Sequence, residues 1–171
     1  MGFLRHHDDA PAGRRFQMRE KLASIGDDAW IEDDRGDRLY KVDGKAFRIR
    51  DTFILKDRSG NEVAKIQERK LHVRDTLAIE RDGRTVATVH KALVGIRDRF
   101  KVDIEGGEDL NAHGNVVDHE YEIKRDDDVV ARISKKWFRL RDTYGIEIID
   151  GEDEPLLLAV AVALDEMTTR G

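Results

Sequence analysis

The chain has 171 residues, a net charge of −5, no cysteine, and 39% each of hydrophobic and charged residues. That length buries a substantial core as one ordinary domain. The negative balance argues against general nucleic-acid binding, which needs a positive footprint, and the lack of thiols excludes disulfides, a cysteine nucleophile and thiolate zinc sites.

Residues 1–12 contain no apolar stretch of the secretory kind and read as a flexible tail ahead of a single domain over 13–171. Gly2 invites myristoylation, but the sixth residue is His6, where Ser or Thr is required. The expected location is therefore the cytoplasm. Further along, one phrase recurs: Phe47-Arg-Ile-Arg-Asp-Thr-Phe-Ile-Leu55, Leu71-His-Val-Arg-Asp-Thr-Leu-Ala-Ile79 and Phe138-Arg-Leu-Arg-Asp-Thr-Tyr-Gly-Ile146. Val94 to Val102 is a worn fourth copy. The arginines fall at 50, 74, 97 and 141, so the steps are 24, 23 and 44, the last close to two periods. A fixed period means one supersecondary unit used repeatedly.

Two copies match over a longer stretch. Val63-Ala-Lys-Ile66 and Val130-Ala-Arg-Ile133 stand at the same offset of 67 residues that relates Arg74 to Arg141. The unit is a strand, a break around Glu68-Arg69-Lys70 or Lys135-Lys136-Trp137, and then the Arg-Asp-Thr strand. Turn signals bound the units: Ser59-Gly60, Asp82-Gly83, Gly106-Gly107, Asp126-Asp127-Asp128 and Asp150-Gly151. Asp and Gly tolerate positive φ, so such pairs between alternating runs predict hairpins. The expected result is an antiparallel meander of ten to twelve short strands, with alternation placing most charges on its outer face.

The run Pro155 to Leu164 is the most apolar in the chain. A membrane span needs about 20 apolar residues, and this run is half that. It alternates well enough to be a buried strand, but three alanines, the acids Glu152-Asp153-Glu154 and Pro155 at the first helical position favour a helix. Its Leu and Val residues spread around the whole circumference, so protein must surround it. A sheet curled into a barrel around the helix satisfies both elements, and needs more than eight strands to leave room.

With those elements placed, the chain resembles the LURP-one-related family. The likeness rests on Val130 to Phe138, Arg141 to Ile148, the Gly114-Asn115 step and the closing Leu158 to Asp165 run. That family shares its fold with the tubby C-terminal domain and is similar to phospholipid scramblases. The resemblance implies a mainly β, closed antiparallel barrel of about twelve strands around one hydrophobic C-terminal helix. It implies no agreed activity. Tubby domains bind phosphoinositides through exterior basic residues, and none of those is carried onto this sequence. Scrambling is not expected, because the chain lacks cysteine and a spanning segment.

The candidate ligand-binding residues are the basic groups around the repeated break: Lys65, Arg69 and Lys70 in one copy, and Arg132, Lys135, Lys136, Trp137 and Arg139 in the other. Basic side chains beside an aromatic suit an anionic membrane surface, where charge attracts headgroups and Trp sits in the interface. The plainer alternative is outer-face charges paired with neighbouring acids, with Trp137 plugging a barrel end. Asp51, Asp75 and Asp142 fall on the apolar face in strict alternation, which predicts a bulge or a hydrogen-bonded structural role. Glu152 to Glu154 and Asp126 to Asp128 do not match a calcium loop and read as a helix start and a turn. No catalytic motif, metal site or cofactor fingerprint is present. The expected function is non-enzymatic binding of anionic phospholipid or phosphoinositide headgroups by a cytoplasmic, peripheral membrane protein. The alternative is a cytoplasmic protein-interaction module with no lipid ligand.

Overall fold

A computed structural model describes residues 12–19, 28–44, 52–69, 76–92, 99–115, 120–134 and 143–169. The strands are β1 (Gly13–Arg19), β2 (Ala29–Asp33), β3 (Arg38–Asp43), β4 (Thr52–Asp57), β5 (Glu62–Glu68), β6 (Thr76–Arg81), β7 (Arg84–Lys91), β8 (Arg99–Ile104), β9 (Leu110–Asn115), β10 (Glu120–Arg125), β11 (Asp128–Ser134) and β12 (Thr143–Ile149). Each pairs antiparallel with the next, and β1 pairs with β12, which closes the barrel. One helix, α1 (Glu154–Thr169), follows.

The strand path gives the barrel two unlike ends. Even-numbered strands run to an end where turns of two to five residues lead on to the next element. We call this the turn end. Odd-numbered strands run to the other, the link end, where the connections 20–28, 44–51, 69–75, 92–98, 116–119 and 135–142 begin and finish. The sequence repeat is therefore a hairpin. Its Thr52, Thr76 and Thr143 are the first residues of β4, β6 and β12, and each is buried. By register these threonines face outward, because Phe53, Leu77 and Ile146 take the inward positions. The aspartates before them lie outside the described residues.

Turn chemistry follows the residues predicted to make it. Asp33 and Asp57 do the same job in sister turns. The Asp33 Oδ1 accepts from the backbone N–H of Arg35 and of Asp37, each at 2.9 Å, and the Asp57 Oδ1 accepts from Ser59 and Asn61 at the same distance. Gly36 and Gly60 close these turns at φ of 83° and 84°, where a Cβ would strain the backbone. Asp82 and Asp126 take φ of 49° and 51° in the two-residue turns. Register shifts occur near these turns at Ile31/Glu32, Leu55/Lys56, Ile79/Glu80 and Ile123/Lys124. A bulge re-aims the side chains beyond it, and two of the residues beyond these bulges, Arg81 and Arg125, reach the helix start.

The helix occupies the centre of the barrel. Leu157 through Leu164 are all buried, Leu158 and Val160 completely. Its neighbours are β5, β12, β6 and β7. Alanines on the wall (Ala64, Ala87, Ala112, Ala131) and on the helix (Ala159, Ala161, Ala163) keep the interior volume small enough to fill. The helix start differs by one residue from expectation. Asp153 is the N-cap, its Oδ1 accepting from Leu156 N–H at 3.2 Å, so Pro155 stands at the second helical position. The second N–H of a helix has no partner in the helix either, so proline costs nothing there. The helix also runs past the apolar stretch, and Asp165 and Glu166 near its C-terminus are buried.

Candidate functional site

Of the eight basic-cluster candidates, Lys65, Arg69 and Arg132 lie among the described residues. Lys65 on β5 and Arg132 on β11 are equivalent positions of the two repeat copies, and both face outward. Lys65 Nζ lies 4.0 Å from Glu80, and Arg132 Nη1 lies 3.1 Å from Glu147. Glu80 and Glu147 are themselves 67 residues apart. So the repeat carries one ion pair twice, and for these two candidates the paired outer-face arrangement holds. β5 and β11 are six places apart in a ring of twelve, on opposite walls.

Arg69, just beyond β5, is different. Its backbone leaves β5 at the link end, but its exposed side chain lies along the outer wall, donating from Nη2 to Thr85 Oγ1 near the start of β7 at 2.5 Å, and it has no carboxylate within ion-pair distance among the described residues. Lys70, Lys135, Lys136, Trp137 and Arg139 lie outside the described residues. Sequence reading missed a second exposed arginine at this rim, Arg99, the first residue of β8, which likewise has no ion pair among the described residues. Its place in the worn repeat copy was the available signal. A further aromatic–cation contact was also missed. Trp30 lies under Arg38 at 4.9 Å and Lys41 at 5.8 Å, but those cations are held by Glu32 and Asp28.

At the turn end the acidic run is fully engaged. Arg125 from β10 grips Glu152 with two bonds of 2.9 and 2.8 Å. Arg81 from β6 grips Asp153 with two of 2.7 and 2.6 Å. Glu154 accepts from Arg14 of β1 at 2.9 Å and from the Tyr40 hydroxyl of β3 at 2.6 Å. Three consecutive carboxylates thus tie the helix start to four strands spread around the ring. The Arg81 guanidinium holds the Asp153 carboxyl below the usual carboxylate range, helped by the Leu156 N–H. Burial, then the Glu154 hydrogen bond and charge, raise the Tyr40 phenol far above its ordinary value. These perturbed groups belong to a structural clasp. Among the described residues no group of three His, Cys, Asp or Glu side chains could hold a metal ion, and no helix is long and apolar enough to cross a membrane.

A family model described as LURP-one-related matches residues 14–165, nearly the whole barrel and helix. The chain belongs to the LURP-one-related family. The X-ray structure of a protein from Arabidopsis thaliana has the same fold, with a TM-score of 0.69 at 20% identity over 92% of this chain and 93% of that one. Among curated proteins none matches the chain. At that identity the plant structure establishes the architecture of this LURP-one-related barrel and nothing of its ligand. The family is not one of known enzymes.

Proposed function

We propose that this LURP-one-related barrel is a non-enzymatic, peripheral protein of the cytoplasmic membrane face that docks on anionic phospholipid headgroups. The observation that carries the reading is Arg69. It is an exposed residue whose guanidinium, held against the outer wall by Thr85, is not neutralised by a carboxylate among the described residues, and it opens a link that is basic by sequence. The equivalent link after β11 supplies Lys135, Lys136, Trp137 and Arg139 by sequence. Guanidinium and ammonium groups bond phosphate oxygens strongly, and a nearby indole favours the interfacial layer.

Co-sedimentation with phosphatidylserine-containing vesicles at low salt tests this. The parent protein pellets with anionic vesicles and not with phosphatidylcholine alone. Reversing Lys135 and Lys136 to Glu weakens binding, and a melt of the variant recorded beside the parent's shows that the fold persists. Parent protein that stays in the supernatant with anionic vesicles removes the lipid reading and leaves a protein-interaction module in its place.

A further inference from the structure

On the outer wall of β5, β6 and β7 the strand registers set out a grid of three residues by three. Thr76 stands between Arg69 and His90, Ala78 between Gln67 and Thr88, and Glu80 between Lys65 and Thr85. These residues face outward, because Ile66, Leu77, Ile79, Ala87 and Val89 take the inward positions. Ala78 is at the centre. It lies on the solvent side of the sheet, yet it is only 1% exposed. Arg69 starts from one corner of the grid, and its Nη2 donates to Thr85 at the opposite corner. Its side chain therefore crosses the position of Ala78, where a larger residue would hold the guanidinium off the wall.

The repeat supplies a comparison. At the offset of 67 residues, Gly145 of β12 replaces Ala78 and stands between Ser134 and Gln17. The centre is again a minimal residue, and it is buried. The corners differ. Glu147 is held by two arginines, Arg132 at 3.1 Å and Arg15 at 3.0 Å. Its equivalent, Glu80, has Lys65 at 4.0 Å, and Thr85 stands where the second arginine would be. The second grid is closed by ion pairs. The first keeps the Arg69 guanidinium, which no carboxylate neutralises among the described residues.

We propose that the Ala78 grid on the outer wall of β5, β6 and β7 is a recognition site for a phosphate monoester, with Arg69 as its main donor and Thr85, Thr88 and Lys65 around it. This rests on the headgroup reading of Arg69 and names the group recognised. A guanidinium carries a planar fork of N–H donors, of which Thr85 takes one. Held by that bond, the fork gives up less freedom when it binds an anion. A phosphate monoester brings three strong acceptor oxygens and close to two negative charges, so it meets a guanidinium, hydroxyls and an ammonium at once. The phosphodiester of phosphatidylserine has fewer terminal oxygens and a single charge. Glu80 is the one carboxylate of the grid, and Lys65 stands beside it.

The test sediments the protein with vesicles of phosphatidic acid, whose headgroup is a phosphate monoester, and with phosphatidylserine vesicles of matched surface charge. Glycerol 3-phosphate, the same group in soluble form, is titrated in parallel and followed by amide NMR. The parent prefers the phosphatidic acid vesicles, and glycerol 3-phosphate shifts the amides of Ala78, Thr85 and Thr88. Arg69→Gln weakens both kinds of binding by roughly ten-fold or more. Ala78→Val, which removes no charge, and Thr88→Val, which removes only a hydroxyl, weaken both as well. Lys124→Gln on β10 changes neither, and melts of all four variants show that they fold. Equal pelleting on the two vesicle types, or a loss from Lys124→Gln as large as from Arg69→Gln, overturns the site and leaves the headgroup reading as diffuse attraction. A protein that pellets with neither vesicle but binds glycerol 3-phosphate through Arg69 upholds the site for soluble monoesters and removes the headgroup reading. Absence of both pelleting and amide shifts overturns both.

Discussion

At the scale of single residues, close approach decides what a position tolerates. Gly114 on β9 has no room for a side chain. A Cβ there would overlap the backbone carbonyl of Glu120 and the ring of Tyr121 on β10. Both obstacles are fixed, one by the strand pairing and one by burial, so Gly114→Ala should cost roughly 1–3 kcal/mol, read as a lower melting temperature. A melt equal to the parent would mean β9 and β10 do not pair in this register. Asp153 gives a pH-dependent expectation. Its folded-state pKa is depressed, chiefly by Arg81. Stability from this pair is therefore present above the unfolded carboxylate value of about 4 and lost as pH falls through the depressed value. Asp153 is 45% exposed, so after solvent screening the pair contributes about 1 kcal/mol. Arg81→Met should lower stability by that amount at neutral pH, and the gap between variant and parent should close on acidification below about pH 4 in urea titrations. A gap that persists unchanged at low pH would assign the loss to packing by the arginine stem.

Elements are decided by what surrounds them. The helix is apolar on all sides, and its partners are the inner faces of strands contributed from the whole chain. Leu158→Ala should cost roughly 2–5 kcal/mol through the cavity it leaves. Leu158→Asp buries a carboxylate with no partner and should prevent folding. A soluble Leu158→Asp protein that melts like the parent would place the helix on the surface. The hairpin repeat assigns different duties to equivalent strand ends. β2 and β4 finish in aspartates that bind their own turns, whereas β6 and β10 finish in arginines that bind the helix start. Sequence similarity between copies marked the shared strand register but not this division of labour, because each duty depends on what lies beyond the turn.

For the whole molecule the proposed docking on anionic headgroups predicts a dependence on salt. Binding to anionic vesicles should fall steeply between low and physiological ionic strength, as the screening length shortens to about 8 Å. Thermal stability should change little over the same range, since outer-face pairs such as Lys65–Glu80 are exposed and weak. A sedimentation series and a melt series in the same buffers check both. Vesicle binding indifferent to salt would point to insertion of apolar side chains as the dominant force.

The sequence by itself determined the architecture. Alternation of period two, turn residues at regular intervals and an apolar run too short to span a bilayer leave few ways to bury every face, and a closed barrel around a helix is one. These signals are local or periodic, so they survive without knowing which strands meet. Acid residues before Pro155 likewise announced the helix start. The tertiary structure alone decided how distant groups combine. Lys65 and Arg132 look like members of one basic cluster in the sequence, yet ring closure puts them on opposite walls beside their own glutamates. Glu152, Asp153 and Glu154 look like a solvated helix cap, yet four strands converge on them. Arg69 and Arg99 share a rim because β5 ends and β8 begins at the same end of the barrel. The physical reason is separation along the chain. Periodicity fixes which face a side chain takes, whereas its neighbours across the barrel depend on strand direction and closure, which no stretch of sequence carries alone.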